Sequence, residues 1–281
     1  MFMRAVRPLY LVTTRSEPEF WGTGVLLQFG DARFVATAAH VVHRPSDGEI
    51  PHGVKTGVIM TFGSESHVEL NGRVHRTLPP EGRSYEEDKA DVALIELSLA
   101  EVAQIDDSLF LESSNIDVRD HLAPRRGYFL LGFPHNWQKR DLPAASFKVR
   151  PFPFIGREVD ADVYDELGYP RIRNLAVKFD RKRIRTGSKV VTAPDPGGTS
   201  GGGWWRIDNR FGPLGDACSP KLVALMSKHY PRGEKVLLAV RISVVIQLLA
   251  TSRPDLRKFL PDVSWLPPLE RWDTFPGAFV E

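Results

Sequence analysis

Short apolar stretches recur along the chain, separated by glycine, proline, asparagine and charged residues that favour turns. Their β-branched and aromatic content and their short length predict strands. In the first half of the sequence the predicted strands are 9–13, 24–29, 33–38, 54–62, 68–74 and 92–97. In the second half they are 128–131, 175–179, 189–192, 222–226 and 236–242. Many short strands at this spacing predict an all-β sandwich or barrel and not alternating βαβ units.

The pattern changes in three places. The polar stretch over residues 100–125 predicts a boundary between two halves. Residues 243–250 predict a short helix, capped by Ser243 and ended before Pro254. The last 29 residues, 253–281, are rich in proline and large aromatic residues. Because exposed aromatic rings are costly in water, this extension is expected to wrap around the rest of the molecule, with docking to a partner as the alternative.

Composition narrows the class of protein. The 281-residue sequence is 42% hydrophobic and 26% charged, as in an ordinary globular protein. A net charge of +2 gives no strong attraction to nucleic acid or membranes, so neither is an expected partner. Cys218 is the single cysteine, so no intramolecular disulfide can form, which favours a reducing compartment. Without a secretory signal or a run of about 18 apolar residues, the sequence predicts a cytoplasmic protein.

One loop carries the strongest chemical signal. Residues 195–203 read Asp-Pro-Gly-Gly-Thr-Ser-Gly-Gly-Gly, so five glycines surround a single serine, Ser200. Glycine lets backbone N–H groups approach a small target closely, and such groups stabilise the oxyanion of an acyl-transfer intermediate. The N–H groups of Gly198 and Ser200 are the natural pair of donors if Ser200 is a nucleophile. A flexible glycine loop with an incidental serine is the alternative for this motif alone.

A serine nucleophile needs a base, usually histidine, whose orientation is fixed by a carboxylate. His40 follows an apolar predicted strand and stands among small residues that leave room for a neighbouring side chain. Asp91 stands where another apolar strand begins, a place that can shield a carboxylate from water and direct it at an imidazole. His40 and Asp91 are therefore the candidate partners of Ser200.

Three blocks in this order resemble the trypsin-like, chymotrypsin-fold serine proteases. They are Thr-Ala-Ala-His at 37–40, Asp-Val-Ala-Leu-Ile-Glu-Leu at 91–97 and Gly-Thr-Ser-Gly-Gly at 198–202, with gaps of 51 and 109 residues between the candidate catalytic positions. The resemblance implies two six-stranded antiparallel β-barrels, with a short C-terminal helix and the extension after them. Residues 1–120 would form the barrel that carries histidine and aspartate, 121–252 the barrel that carries serine, and 253–281 the C-terminal extension.

The same resemblance implies a serine endopeptidase that acts on proteins or peptides through an acyl-enzyme intermediate. Ser200 would be the nucleophile, His40 the general base and then acid, and Asp91 the group that orients His40. No metal or organic cofactor is implied. Thr199 stands where secreted members place the aspartate that pairs with a cleaved N-terminus, so the intracellular bacterial members, which need no such cleavage, are the better match.

Secondary matches suggest substrate-binding residues. The segment 222–227 resembles the strand that lines the substrate cleft, so Ser227 is expected near Asp91, and Ser227, Lys228 and His229 would pair with an extended peptide. Asp195 could make the primary specificity pocket acidic, but an aspartate before proline more often caps a turn.

Other interpretations of the same residues stay open. The loop also fits the Gly-x-Ser-x-Gly pattern of α/β-hydrolases, but that fold needs an acid and a histidine after Ser200, and His229 is the one later histidine. His40 and His43 have the spacing of a metal site, with no second ligand pair beside them. The remaining histidines, at 52, 67, 75, 121 and 135, are expected to be solvated.

Two further hypotheses concern partners. The basic segment 170–189 could contact an anion or nucleic acid, but its alternation with apolar residues favours a solvated hairpin, and the acidic run 158–166 could pair with it. A binding module of protease fold, with the cleft closed by a loop or by the extension, is a separate class of function. An activating protein partner in a stress or defence pathway is a third hypothesis.

Overall fold

Strands dominate the structure. The computed structural model describes residues 2–13, 16–42, 56–61, 66–84, 87–122, 127–141, 146–186, 188–207 and 220–275. Within these ranges every sheet is antiparallel, in two large sheets and two small hairpins. The predicted all-β fold is confirmed, with two curled antiparallel sheets, but among the described residues the first sheet has eight strands where six were predicted, and the second has the predicted six.

The first sheet uses strands from the first third of the chain. They are β1 (Val6–Thr13), β2 (Ser16–Phe29), β3 (Ala32–Thr37), β4 (Thr56–Thr61), β5 (His67–Leu70), β6 (Val74–Thr77) and β7 (Ala93–Glu96). Their hydrogen-bonding order is β6-β7-β3-β2-β1-β4-β5. In a flat sheet β5 and β6 would lie about 29 Å apart, at about 4.8 Å per strand. Residues 71–73 alone connect them, which is at most about 14 Å of extended chain. The sheet must therefore curl, so that β5 at one end of the strand order and β6 at the other end lie next to each other.

The second sheet follows in the chain. Its strands are β8 (Gly127–Gly132), β11 (Phe152–Arg157), β12 (Asn174–Lys178), β15 (Gly203–Ile207), β16 (Lys221–Tyr230) and β17 (Val236–Arg241), in the order β11-β8-β15-β16-β17-β12. The small hairpins are β9 (Lys139–Asp141) with β10 (Ser146–Lys148) and β13 (Ile184–Thr186) with β14 (Lys189–Val191). A bridge between Glu158 and Val177 brings the ends of β11 and β12 together, so this sheet also curls on itself.

Helices are few and short. They are α1 (Leu99–Val102), α2 (Ala161–Leu167) and α3 (Ile242–Ser252). The predicted closing helix is α3, but its N-cap is Arg241, and Ser243 lies buried in the first turn. No helix in the described part of the chain is long and apolar enough to cross a membrane.

The largest hydrophobic cluster joins elements of both halves. It contains Val25 and Leu94 of the first sheet, Leu225 and Val240 of the second, and Val245 of α3. The two sheets therefore pack into one body, and domain limits at residues 120 and 252 stay predictions.

The C-terminal extension lies on the first sheet, in agreement with the expected wrapping. Its strand β18 (Trp272–Phe275) pairs antiparallel with β6 and extends that sheet to eight strands among the described residues. Arg76 on β6 makes two hydrogen bonds to the carboxylate of Asp273, at 3.0 and 3.2 Å.

One predicted solvated histidine is wrong. His75 on β6 is fully buried, with Nδ1 2.9 Å from Thr274 Oγ1 and Nε2 3.4 Å from Glu96 Oε2. Val74 and His75 are both fully buried, so both faces of β6 are covered, and β18 beside it supplies the Thr274 contact. The bond to His75 and, in addition, that to Arg253 hold the pKa of the Glu96 carboxyl below its ordinary value despite partial burial.

Candidate active site

Neighbouring strands bring His40 and Asp91 to the same end of the first sheet. The antiparallel pairing of β3 with β7 places Thr37, the last residue of β3, opposite Ala93, the first residue of β7. His40 follows Thr37 by three residues in a short 3-10 turn, and Asp91 precedes Ala93 by two. The 51-residue separation in sequence thus becomes a direct contact in space.

His40 is held twice by one carboxylate. Its Nδ1 lies 3.0 and 2.9 Å from Oδ1 and Oδ2 of Asp91, and its backbone N–H donates to Oδ1 at 3.1 Å. The Asp91 side chain is fully buried, whereas that of His40 is 35% exposed. A carboxylate at Nδ1 keeps the proton there in the neutral ring and leaves Nε2 free as a base. Burial lowers the pKa of His40, but the charge and hydrogen bond of Asp91 outweigh it, so the net shift of this pKa is upward.

The backbone at Asp91 is strained. Its φ of 26° lies in the left-handed region, which residues with a side chain seldom adopt. Strain of this kind persists where surrounding contacts impose it, and it concentrates at functional sites. A third donor, the Ser227 hydroxyl, also binds the Asp91 carboxylate. The predicted proximity of Ser227 and Asp91 is present in the structure.

A second buried carboxylate, absent from the sequence predictions, supports the same turn. Asp88 is 3% exposed, accepts from Thr77 Oγ1 at 2.7 Å and accepts from the Ala90 N–H at 2.9 Å. Burial raises the pKa of its carboxyl. No motif distinguishes Asp88 from the charged residues around it, so the sequence carries no signal for this role.

Ser200 lies in the turn that leads into β15. Gly198 and Gly201 on either side have φ of 90° and 82°, which glycine alone adopts without strain. The Ser200 hydroxyl donates to the backbone oxygen of Ser227 at 3.2 Å. Ser227 therefore contacts Ser200 through its backbone and Asp91 through its side chain, and it links the two halves of the site.

Two N–H groups in this turn are free. Within the described residues, neither the N–H of Gly198 nor that of Ser200 has an intramolecular hydrogen-bond partner. The preceding carbonyl, that of Gly197, accepts from the His135 N–H at 2.7 Å, which fixes the orientation of the peptide group that carries the Gly198 N–H. Both N–H groups of the predicted donor pair thus lack an acceptor among the described residues, and the peptide group of one of them, Gly198, is held in place.

Comparisons with known proteins bear on the fold. No protein family model matches the chain, and no curated protein sequence matches it. The solved structure of GrC is 13% identical, with a TM-score of 0.49 over 90% of this chain and 93% of that chain. Protease Anisep from Arthrobacter nicotinovorans is 12% identical, with a TM-score of 0.51 over 89% of this chain and 96% of that chain. The two curled antiparallel sheets and the likeness to protease Anisep, over 89% of this chain and 96% of that chain, decide the architecture. The fold is chymotrypsin-like. Identities this low show the chymotrypsin-like fold alone.

The chymotrypsin-like fold leaves one edge of β16 partly open. The register with β15 ends at Leu225, whereas β17 pairs with β16 as far as Tyr230. Beyond Met226, the side of β16 that faced β15 has no strand partner among the described residues. The predicted peptide-pairing positions, Ser227, Lys228 and His229, lie on this open segment.

Side chains of the predicted substrate-binding residues have neighbours of their own. Lys228 Nζ donates to the backbone oxygen of Asp88 at 2.9 Å and to the Tyr169 hydroxyl at 3.1 Å. The His229 ring packs edge to face on Phe179, with ring centroids 5.5 Å apart. Burial lowers the pKa of His229. Lys228 thus connects β16 to the turn that holds Asp91.

Asp195 has the contacts of a turn-capping residue. Its Oδ1 accepts from the Gly197 N–H at 3.0 Å, and its exposed carboxylate lies 3.4 Å from Arg181. A role of Asp195 in specificity stays a prediction.

The basic segment 170–189 has several acidic partners. Arg171 binds Glu158 at 2.8 Å, which agrees with the expected local pairing to the acidic run, and Lys178 binds Glu234 at 2.8 Å. Within the described residues no group of three or more histidine, cysteine or acidic side chains could hold a metal ion. His43, His52 and Cys218 lie outside the described residues.

Proposed function

We propose that the protein is a serine endopeptidase with Ser200 as nucleophile, His40 as general base and acid, and Asp91 as the residue that orients His40. The observation that carries the proposal is the buried Asp91 carboxylate bound to His40 Nδ1 and to Ser227, whose backbone oxygen binds the Ser200 hydroxyl. The antiparallel sheets of the described residues do not favour an α/β-hydrolase, which needs a mostly parallel sheet.

The first half of the reaction forms an acyl-enzyme. The Ser200 hydroxyl turns from the Ser227 oxygen toward Nε2 of His40, gives up its proton there, and Oγ attacks the carbonyl carbon of the scissile peptide bond. The negative charge that develops on the carbonyl oxygen is stabilised by the free N–H groups of Gly198 and Ser200. The C–N bond then breaks, His40 returns the proton to the leaving amine, and an ester to Ser200 remains.

The second half uses water as the nucleophile. His40 takes a proton from water, the hydroxide adds to the ester carbonyl, and the same N–H pair stabilises the second oxyanion. The bond to Ser200 Oγ breaks with return of the proton, which releases the carboxylic acid and restores the enzyme. Asp91 stays ionised throughout and stabilises the imidazolium that forms in each half.

The substrate class is proposed from the open segment of β16. An extended peptide can add as a strand beside Ser227, Lys228 and His229, with main-chain hydrogen bonds supplying affinity. This proposal places residues 1–120 and 121–252 as the two halves that meet at the cleft, with 253–281 as the extension. A single cysteine supports a reducing compartment, and we place the enzyme in the cytoplasm on that basis.

Covalent labelling with a fluorophosphonate probe tests the proposal. We expect the wild type to be labelled on the peptide that contains Ser200, and Ser200→Ala and His40→Ala to lose labelling. Ser108→Ala and His67→Ala change exposed residues outside the site and should label as the wild type does. Ser200→Ala should also unfold at nearly the wild-type temperature, because it removes one oxygen from a partly exposed position. Labelling that survives Ser200→Ala would overturn the assignment.

One observation favours a second candidate, a protease-fold module that is silent until a partner binds. The Ser200 hydroxyl is bound to the Ser227 oxygen and must turn before it can give its proton to His40. A wild type that resists labelling on its own, with peptides that nonetheless bind the β16 segment, would support this candidate over a constitutively active endopeptidase.

A further inference from the structure

Thr23 on β2 contacts the loop of Ser200 from the opposite sheet. It is fully buried. Its hydroxyl donates to the Gly198 carbonyl oxygen at 3.0 Å and accepts from the Phe133 N–H at 3.1 Å. Its backbone N–H donates to the Ser200 carbonyl oxygen at 2.9 Å. One residue of the first sheet thus binds carbonyl groups on both sides of Thr199.

The hydroxyl of Thr23 makes the contact that a substitution can remove. A threonine hydroxyl has one proton to donate, and here that proton goes to Gly198 while a lone pair accepts from Phe133. Within the described residues, Thr23 Oγ1 is the one side-chain atom from outside the loop that hydrogen-bonds to the backbone of residues 197–200. The other outside contacts come from backbone N–H groups, which a substitution leaves in place.

These contacts bear on the orientation of Gly198. The peptide group before Gly198 is fixed by His135, and the one after it is fixed by Thr23 and by the Thr199 N–H, which donates to Pro196 at 2.9 Å. Glycine at φ of 90° has wide conformational freedom, so the direction of its N–H depends on these neighbours. Loss of the Thr23 hydroxyl removes one of the two hydrogen bonds that hold the peptide group after Gly198, and it leaves a buried Phe133 N–H without its partner.

We propose that Thr23 is a positioning residue for the oxyanion site, which holds the Gly198 N–H in the direction needed to stabilise the tetrahedral intermediate. This inference rests on the proposed function. Thr23 touches neither the substrate nor the His40–Asp91 pair. Its effect is exerted on the Gly198 peptide, and it couples the first sheet to a donor carried by the second.

Thr23→Val tests the inference because valine keeps the shape of threonine and removes the hydroxyl. We expect its second-order rate of fluorophosphonate labelling to fall about 10- to 100-fold, below the loss of about 10²–10³ known for removal of an entire oxyanion donor. Thr23→Ser retains the hydroxyl and should label within about threefold of the wild type. With a peptide substrate, the loss in Thr23→Val should fall on kcat and leave KM nearly unchanged, because the oxyanion forms in the transition state.

Tyr164→Phe is the matched control. The Tyr164 hydroxyl on α2 is also buried and, like that of Thr23, donates one hydrogen bond and accepts another from a backbone N–H, at 2.8 and 2.9 Å, and among the described residues it makes no hydrogen bond to the loop of Ser200. It should lose stability to a similar degree and retain most of the labelling rate. The pH at half-maximal labelling should be the same in Thr23→Val as in the wild type, because His40 and Asp91 are not contacted.

The outcomes separate the two proposals. If the wild type is not labelled on Ser200, the proposed function fails. If the wild type is labelled and folded Thr23→Val is labelled at the same rate, or if Tyr164→Phe loses as much, the inference on Thr23 is overturned. Should Thr23→Val fail to fold, Thr23→Cys, of similar size with a weaker S–H donor, replaces it, and a wild-type rate in that variant overturns the inference.

Discussion

Asp91 binds both the backbone and the ring of His40, with its carboxylate 3.1 Å from the backbone nitrogen and 2.9 Å from Nδ1. The backbone bond fixes the turn after β3, and the ring bond fixes the tautomer. A single buried carboxylate thereby sets both the position of the imidazole and its orientation, and it does so from a strained backbone held by neighbouring strands.

Replacement of Asp91 by asparagine should therefore remove activity without removing the fold. The amide can accept from the backbone N–H, but it no longer fixes the Nδ1 proton or stabilises the imidazolium. We expect the labelling rate of Asp91→Asn to fall by about 10³–10⁴-fold. Asp107→Asn, at an exposed position paired with Arg33, should label at the wild-type rate and serves as the control. An active Asp91→Asn would contradict the role given to the carboxylate.

The pH dependence of labelling should follow the neutral form of His40. Protonated His40 cannot act as a base, so the rate should rise with pH through the pKa of this residue. Because Asp91 raises that pKa, the midpoint is expected above the ordinary histidine value of about 6.5. In Asp91→Asn the residual rate should have its midpoint at lower pH, since burial then acts without the opposing charge. A wild-type midpoint well below 6.5 would disagree with the geometry. Because the pKa of His40 is raised in the folded protein, the protonated ring adds to the free energy of unfolding. This contribution is fully present below about pH 6.5 and is lost as the pH rises through the raised pKa.

Gly198 should not tolerate alanine. A Cβ there would lie 2.4 Å from Phe20 Cε1 and 2.9 Å from the backbone nitrogen of His135, in a backbone conformation with φ of 90°. We expect Gly198→Ala to lose more than about 100-fold in labelling, because the loop must shift and the N–H moves with it. Gly82→Ala is the control, since Gly82 has a similar φ of 72° but open space around it. It should show the backbone strain alone, as a stability loss of about 1 kcal/mol with normal labelling.

A buried arginine should dominate stability in the second half. The guanidinium of Arg241 is 1% exposed and binds Asp120 at 2.7 Å and Glu158 at 3.1 Å, both of them buried. Removal of one partner of a buried ion pair leaves uncompensated charge and costs about 3–5 kcal/mol. Arg241→Met should therefore lower the free energy of unfolding by that amount in urea titrations. Arg183→Met, at an 83% exposed side chain, should change it by no more than about 0.5 kcal/mol. Equal effects of the two variants would show that the buried ion pairs of Arg241 do not determine the free energy of unfolding.

Much of the fold could be predicted because apolar runs mark buried strands directly. The runs near residues 24–29, 92–97 and 236–242 correspond to β2, β7 and β17. The run 68–74 is divided into β5 and β6 because the chain turns at Gly72, where a Cβ would meet the Glu96 carbonyl oxygen at 1.5 Å. Sequence periodicity cannot reveal such a backbone contact.

Elements that depend on distant partners could not be predicted. The strand β15 begins in the glycine loop, β18 is four residues long and lies in the proline-rich extension, and α2 lies in the acidic run 158–166. The candidate triad was accessible because each member stands beside a strand end with a recognisable block. Asp88 and Thr23 carry no such block, and their roles follow from contacts made across the fold.

The pairing of β18 with β6 also sets an order of events during synthesis. Arg76 and Asp273, which bind each other across these strands, are 197 positions apart in the chain. At a rate of synthesis of about 5–20 residues per second, β18 follows β6 after about 10 to 40 s. The whole second sheet is synthesised in that interval. During that interval β6 presents an unpaired edge, the kind of surface on which nascent chains associate wrongly. We therefore expect this edge to need protection from such association until β18 has been synthesised.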